Sequence, residues 1–207
     1  MKHRTASNIR SVLEPGVAVA ATLTILVLIP FVCSCTGSRE EVEMDGYFQA
    51  LGDTDPGKIT IPEGGSATER EAIVRFSDFY QVFSEEVIRK DVRNVYAPTA
   101  YFGDPFKVVE GVDEIEEYFL KSAETIHECT FDIVDVASHD GDYYFRWIMN
   151  LTLKRYRNKP VRAVGMSHVR FDQKGMVVFH QDYWDSSVIY EKVLGLGSVI
   201  RWIKGRF

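Results

Sequence analysis

The feature that most constrains the fold is a strict alternation at residues 143–154, where every second side chain is apolar. A period of two is typical of a β-strand with one buried face. The apolar positions are Tyr143, Phe145, Trp147, Met149, Leu151 and Leu153. Strand-like runs at 129–136, 161–171 and 176–184 flank this stretch, and turn sequences rich in Asp, Asn, Gly and Pro separate them. The second half of the chain is therefore predicted to be an antiparallel meander.

The preceding segment has helical periodicity. Ser66 and Glu69 match a capping box, and an apolar series with helical spacing follows at 72–87. Two further helices are predicted at 90–96 and 111–123. Short strands at 99–102 and 107–109 lie between them. Helices followed by a run of strands predict an α+β fold.

Composition excludes some classes of function. The chain has 207 residues, 45% of them hydrophobic, which is enough for one domain with additional segments. Its net charge of −6 argues against nucleic-acid binding. Cys129 is far in sequence from the other two cysteines, Cys33 and Cys35, so neither a disulfide framework nor a metal cluster is indicated. No metal or cofactor is expected.

The N-terminal segment, residues 1–35, predicts contact with a membrane. A basic start is followed by a run without charge at 17–35, which is typical of an export signal or a membrane anchor. The sequence VCSC at 32–35 resembles a lipoprotein box in which Cys35 receives the lipid. An uncleaved anchor is an equal alternative. Both place the rest of the chain outside the cytoplasm at a membrane surface.

The rest of the chain is predicted to be one domain with a segment on either side. Residues 36–65 are rich in Gly, Asp, Glu, Thr and Pro and are predicted to be a flexible tether. Residues 66–186 form the predicted domain. Residues 187–207 form an amphipathic, basic tail, as one helix or as two broken at Gly195 and Gly197. The tail either closes the open end of the domain or lies on a membrane.

A candidate catalytic carboxylate occurs in the sequence YFGDPF at 101–106. Asp104 precedes a proline at the end of a predicted strand, with aromatic residues on both sides. Apolar surroundings raise the pKa of a carboxyl group, which suits a general base. The alternative is a turn aspartate that bonds its own backbone.

Three motifs carry a resemblance to a known group. They are VYAPTA at 95–100 leading to DPF at 104–106 and EG at 110–111, VRFD at 169–172, and QDYW at 181–184. In this order they resemble the nuclear-transport-factor-2-like superfamily, which includes ketosteroid isomerase, SnoaL-like cyclases and limonene epoxide hydrolase. The resemblance covers roughly residues 68–186. It implies a cone of three helices and a curved antiparallel sheet, a cystatin-like roll.

The resemblance also implies catalytic roles. Asp104 falls on the proton-shuttling base of ketosteroid isomerase, and Tyr80, 24 residues earlier, falls on its oxyanion donor. Ser167 replaces the acid that completes that oxyanion hole. SnoaL-like cyclases are similar in using an aspartate on a late strand, which here is Asp182, with His180 beside it.

The last hairpin predicts how these residues meet. A turn at 172–175 would place Phe171 opposite Met176, Ser167 opposite His180 and Gly165 opposite Asp182. Small residues on one strand would then leave room for a ligand. The predicted site contains the catalytic candidates Asp104, Tyr80, Asp182 and His180, and the ligand-binding candidates Ser167, Trp184, Trp147, Phe145 and Met149.

Three functions remain open on these grounds. The first is a cofactor-free proton-transfer enzyme of isomerase or cyclase type, acting on an apolar small molecule. The second is a non-catalytic, membrane-tethered ligand-binding domain. The third is an interaction domain that forms a homodimer through the outer face of the sheet, where Arg146, Asn150 and Thr152 lie.

Overall fold

Six helices and a six-stranded sheet are seen in the computed structural model, which describes residues 37–192 and 196–206. The helices are α1 (Gly37–Asp53), α2 (Ala67–Gln81), α3 (Glu85–Val95), α4 (Val112–Ala123), α5 (Ser187–Tyr190) and α6 (Leu196–Lys204), with a short 3-10 helix at Lys154–Tyr156. The strands are β1 (Tyr96–Gly103), β2 (Val108–Glu110), β3 (Ile126–His139), β4 (Asp142–Leu153), β5 (Val161–Phe171) and β6 (Val177–Trp184). The α+β prediction is confirmed. The predicted signal or anchor at 1–35, with Cys35, lies outside the described residues.

The sheet has the strand order β2-β1-β6-β5-β4-β3. Four neighbouring pairs are antiparallel, as predicted, but β1 and β6 run parallel, with Phe102 opposite His180. The meander therefore ends beside the first strand. This pairing brings residues from 96–104 next to residues from 177–184, which the local pattern could not reveal.

The alternation in β4 produces the core. Phe145, Trp147 and Met149 are buried on the face that the helices cover, and the residues between them point to the other side. Phe76 of α2 packs on Phe145 with ring centroids 4.4 Å apart. Phe119 of α4 completes the aromatic layer against Phe102. Burial of these rings is the main source of stability expected for the domain.

Capping residues set the helix boundaries. Ser66 caps α2 by accepting a hydrogen bond from the Glu69 amide (3.1 Å), as predicted. The apolar series had predicted that this helix continues to residue 87. Instead α2 ends at Gln81, and Ser84 caps α3 by accepting from the Val87 amide (3.3 Å). The second helix therefore begins before the predicted residue 90.

The tether predicted at 36–65 differs from the structure, because Gly37–Asp53 forms α1. Tyr47 packs against Phe179 on the outer face of the sheet, with ring centroids 6.0 Å apart. Arg170 donates to the Leu51 carbonyl (2.7 Å) near the carboxyl end of α1. Contacts divide the chain after Val42, and residues 43–207 form one unit. Of residues 1–42, only the first turns of α1 are described.

The β5–β6 register differs from the prediction by two residues. Ser167 lies opposite Asp182 and Val169 opposite His180. Phe171 pairs with Val177, so the turn is one residue longer than predicted, and a bulge next to this pair adds the second residue. A shift of two residues keeps the same side chains on the same face.

The C-terminal tail forms two short helices. Val188 and Ile189 of α5 pack against the core, so α5 covers one end of the domain. α6 is held to this end by Lys204, whose Nζ bonds Asp185 Oδ2 and Glu191 Oε1, each at 2.9 Å. No helix in the described part of the chain is long and apolar enough to span a membrane.

Candidate functional site

A cavity of about 460 Å³ lies between the helices and the inner face of the sheet. Its lining is mainly apolar and aromatic, with a few polar groups, as ligand sites usually are. The polar groups that matter for chemistry are Tyr80, Asp104, Tyr118 and Asp182. Apolar walls come from Phe102, Phe119, Trp147, Met149, Trp184 and Ile189. A surface depression of about 550 Å³ between α2 and α3 is lined by charged residues instead, including Arg70, Asp78 and Asp91.

Asp182 is held in the cavity wall through one of its two carboxylate oxygens. Its Oδ1 accepts a hydrogen bond from Ser167 Oγ (2.5 Å) and lies 2.8 Å from His180 Nε2. Ser167 Oγ in turn accepts from Trp147 Nε1 (2.9 Å). Within the described part of the chain, no hydrogen bond reaches Asp182 Oδ2. One carboxylate oxygen is therefore fixed and the other is available to a ligand.

A buried hydrogen-bonded chain connects Asp182 to Tyr80. His180 Nδ1 lies 2.6 Å from Tyr96 Oη, and Tyr96 Oη lies 2.5 Å from Tyr80 Oη. His180 has 0% exposed surface and Tyr96 has 1%, so water does not compete with these bonds. Burial raises the pKa of both Tyr80 and Tyr96 well above the ordinary value, which keeps both hydroxyl groups protonated.

Asp104 is part of a turn and also lines the cavity. Its Oδ1 accepts hydrogen bonds from the amides of Phe106 and Lys107, both at 2.8 Å. Its Oδ2 accepts from Tyr118 Oη (2.7 Å). Burial raises the pKa of Asp104 above its usual value, although these three hydrogen bonds oppose the rise. Asp104 therefore has features of both alternatives: it bonds the backbone of its turn, and it is a carboxyl group with a raised pKa in the cavity wall.

The space beside Gly165 is already occupied. A Cβ atom at this position would overlap the indole ring of Trp147, so the ring lies directly on the glycine. The sequence predicted that Ala163, Gly165 and Ser167 leave room for a ligand. In the structure the room at Gly165 is used by Trp147, whose Nε1 donates to Ser167 Oγ.

Six of the nine predicted site residues line the main cavity and three do not. The six are Asp104, Tyr80, Asp182, Trp184, Trp147 and Met149. His180 and Ser167 lie behind Asp182, and Phe145 is buried in the core against Phe76. Their catalytic and binding roles stay predictions.

Two further residues belong to the site. Tyr96 bridges His180 and Tyr80, and Tyr118 holds Asp104. Tyr96 lies in the VYAPTA motif at 95–100. The motif therefore included this residue, but it did not indicate the hydrogen bonds to His180 and Tyr80. Tyr118 lies in the helix predicted at 111–123, but none of the sequence motifs contains it. No cluster of His, Cys, Asp or Glu suited to a metal ion occurs among residues 37–192 and 196–206.

The model of the SnoaL-like domain family matches residues 76–180, which is half of the chain. The chain belongs to the SnoaL-like domain family. The matched residues run from Phe76, in the middle of α2, to His180 in β6, and include Asp104 and Tyr96. A comparison with curated proteins found no significant match.

Solved structures share the fold. An LEH-like epoxide hydrolase from M. tuberculosis has 12% identity and a TM-score of 0.50, over 65% of this chain and 96% of that chain. A protein from Shewanella putrefaciens described as a SnoaL-like polyketide cyclase has 13% identity and a TM-score of 0.51, over 61% and 96%. A protein with a ketosteroid isomerase-like fold from Catenulispora acidiphila, solved in complex with trimethylamine, has 11% identity and a TM-score of 0.51, over 59% and 91%. At these identities the likeness concerns the fold alone.

Proposed function

We propose that the cavity binds an apolar small molecule and that Asp182 exchanges a proton with it, as in isomerase- or cyclase-type reactions. The hydrogen bonding of Asp182 carries this proposal: Oδ1 is fixed by two partners, whereas Oδ2 has none among the described residues. A carboxylate held in this way against apolar walls has a fixed position, and one of its oxygens has no hydrogen-bond donor in the described part of the chain. Both properties suit a general base.

The proposed step begins at a carbon next to a carbonyl group. Asp182 Oδ2 takes a proton from this carbon, and the C–H electron pair moves through the carbon–carbon bond onto the carbonyl oxygen. The resulting enolate then has two fates. In an isomerase Asp182 returns the proton to a different carbon. In a cyclase the enolate carbon bonds to a second carbonyl carbon of the same molecule, the electron pair of that C=O bond moves to its oxygen, and this oxygen takes the proton from Asp182 to become a hydroxyl group.

Tyr80 can assist only in one state of the buried chain. When His180 Nε2–H donates to ionised Asp182, Nδ1 accepts from Tyr96 and Tyr96 accepts from Tyr80. The Tyr80 proton then points away from the cavity. When His180 Nδ1 carries a proton instead, these hydrogen bonds reverse and Tyr80 can donate to an enolate oxygen. The proposed oxyanion role of Tyr80 therefore requires a proton on His180 Nδ1.

Binding without catalysis is the second candidate, and the state of Asp104 favours it. All three hydrogen bonds to Asp104 come from within the protein, so the base expected from ketosteroid isomerase is occupied. In this case the cavity carries or senses an apolar molecule, and Asp182 accepts a hydrogen bond from it.

One experiment separates the two candidates. The full chain is titrated with 2-naphthol, followed by fluorescence, and is incubated with 1-tetralone in D₂O, where proton NMR reports exchange next to the carbonyl. We expect both binding and exchange. Asp182→Asn should lower exchange by about 100-fold or more, the usual contribution of a general base, while naphthol still binds.

The control is Asp132→Asn, which changes an exposed aspartate on β3 and should alter neither result. Naphthol binding without exchange in the wild type would favour the non-catalytic candidate. Absence of binding would contradict both.

We also propose that residues 1–35 hold the chain at a membrane outside the cytoplasm, through a lipid on Cys35 or as an uncleaved anchor. The basic start and the run without charge at 17–35 support this. Mass spectrometry of the mature protein distinguishes the two forms. A chain that begins at Cys35 with the added mass of a lipid supports the first, and an intact N-terminus supports the second.

A further inference from the structure

The C-terminal helix α6 leaves an apolar face in solvent. Leu196, Val199 and Ile203 recur at helical spacing with 42–51% of their surface exposed, and Trp202 beside them is 59% exposed. The inner face of the sheet, by contrast, buries its apolar residues almost completely. A tryptophan exposed together with aliphatic residues on one helix is unusual for a surface that faces only water.

The charges around this face are positive. Residues 186–207 contain four basic residues and one acidic residue, whereas the whole chain has a net charge of −6. Lys204 is used on the domain side, in its bonds to Asp185 and Glu191. Arg201 and Arg206 are exposed, and the Arg206 guanidinium lies 4.1 Å from the centre of the Trp202 indole ring.

α6 is also fixed in orientation and placed close to the cavity. Gly197 is buried, and an added Cβ would overlap the Glu191 carbonyl, so α6 begins in direct contact with the end of α5. Ile189 of α5 lines the cavity. The neighbouring Tyr190 packs against Phe106, a half-exposed residue of the cavity wall.

We propose that α6 docks on an anionic lipid surface, with Leu196, Val199, Trp202 and Ile203 in the interface and Arg201 and Arg206 at the headgroups. Tryptophan and aliphatic residues with flanking basic residues are the composition of helices that lie in the membrane interface. Basic side chains near an anionic leaflet add attraction. In this position the α5 side of the cavity faces the membrane, so an apolar ligand can enter from the lipid phase.

The test reads Trp202 itself, so that insertion of another part of the chain into the bilayer is not mistaken for docking of α6. The full chain is mixed with vesicles of phosphatidylcholine alone or with a quarter phosphatidylglycerol, with and without brominated acyl chains. The emission of Trp202 is obtained by subtracting the spectrum of Trp202→Phe. We expect a shift to shorter wavelength and quenching by brominated lipid on the anionic vesicles.

Two variants sharpen the test. Val199→Asp/Ile203→Asp should abolish the quenching, and Arg201→Gln/Arg206→Gln should weaken it by about tenfold or more, since each basic residue near such a surface contributes roughly a fivefold gain in partitioning. Val74→Asp, at an exposed position of α2, is the matched control and should change nothing. Circular dichroism confirms that each variant is folded.

Two results overturn the proposal. In the first, Trp202 is not quenched although the chain sediments with anionic vesicles. In the second, Trp202 emission shifts to shorter wavelength with increasing protein concentration in the absence of vesicles, which means that a second copy of the chain covers the helix.

Discussion

At the scale of single residues, Asp104 combines a turn with a position in the cavity wall, and substitutions separate these two properties. Asn keeps an oxygen for the Phe106 and Lys107 amides, so Asp104→Asn should leave stability nearly unchanged. Asp104→Ala removes all three hydrogen bonds and should lower the free energy of unfolding by about 1–3 kcal/mol. Because its oxygens are already occupied, Asp104→Asn should slow the exchange of 1-tetralone by less than about tenfold.

Urea unfolding and the NMR exchange assay check these values. A loss of exchange that is larger in Asp104→Asn than in Asp182→Asn would instead identify Asp104 as the principal base.

Tyr96 is predicted to hold the buried chain together. Tyr96→Phe leaves both Tyr80 Oη and His180 Nδ1 without their shortest hydrogen bond, at a site that water does not reach. We expect a loss of about 1–3 kcal/mol in unfolding free energy. The ¹⁵N resonances of His180, measured by NMR, should move because Nδ1 loses a donor.

The control is Tyr143→Phe, which removes a hydrogen bond to Glu69 that is only partly buried (2.7 Å) and should cost less. Equal stability of Tyr96→Phe and wild type, with unchanged His180 resonances, would show that the chain is not coupled through Tyr96.

Much of the site could be predicted from residue types and spacing, and some of it could not. Alternation placed Asp182 and Trp184 on one face of β6, and the resemblance to the nuclear-transport-factor-2-like superfamily implied that this face is the inner one. The resemblance to ketosteroid isomerase identified Tyr80, 24 residues before Asp104. The link through Tyr96 depends on the parallel pairing of β1 with β6, which brings distant segments together. The pattern of small residues predicted an open space beside Gly165. It could not show that the Trp147 ring fills this space.

At the scale of elements, α1 is attached to the sheet by a small group of charges. Arg170 bonds Asp142 Oδ1 (2.5 Å) and the Leu51 carbonyl, and His168 Nε2 lies 2.6 Å from the same carboxylate oxygen. Burial raises the pKa of Asp142, but the hydrogen bonds from Arg170 and His168 outweigh this effect and hold it below its usual value. Burial lowers the pKa of His168, although its hydrogen bond to Asp142 opposes the change.

Both shifts predict that α1 loosens in acid. Unfolded His168 takes up a proton near its ordinary pKa of about 6.5, whereas the folded group resists it, so its stabilisation is present above this pH and is lost as pH falls through the lower folded value. The Asp142 contribution is lost in the same direction at lower pH. We expect faster hydrogen exchange of the α1 amides at pH 5 than at pH 7, after correction for the intrinsic rates.

His168→Gln provides the control, because Gln can still donate to Asp142 but does not titrate. The pH dependence between 7 and 5 should shrink in this variant. If wild type and His168→Gln respond equally to pH, His168 is not the responsible group.

The boundaries of the elements show what local signals encode. Ser66 with Glu69 predicted the start of α2, and alternation predicted β4 and β5 closely. The end of α2 was missed because an apolar series continues past Gln81, while the cap at Ser84 starts a new helix. α1 was missed because its composition resembles that of a linker, and its contacts with Arg170 and Phe179 come from the far end of the chain.

At the scale of the whole molecule, the outer face of the sheet beyond α1 is predicted to pair with a second copy. Val164 of β5 is 73% exposed there, and Met166 beside it is half-exposed. Arg146 bonds Asp135 and Asn150 bonds Asp132, so polar pairs flank the two apolar residues. An apolar centre with a polar rim is the usual composition of a moderate protein interface.

The size of the protein in solution tests this prediction. Sedimentation equilibrium of the full chain, in a detergent matched to the density of the solvent, should give the mass of a dimer. Val164→Arg should weaken the dimer at least tenfold, because two guanidinium groups would meet at the centre of a self-complementary interface. Val74→Arg, at an exposed position of α2, should leave it unchanged. A monomer at tens of micromolar wild-type protein would contradict the prediction and would leave α1, which packs on this face through Tyr47, as its main partner.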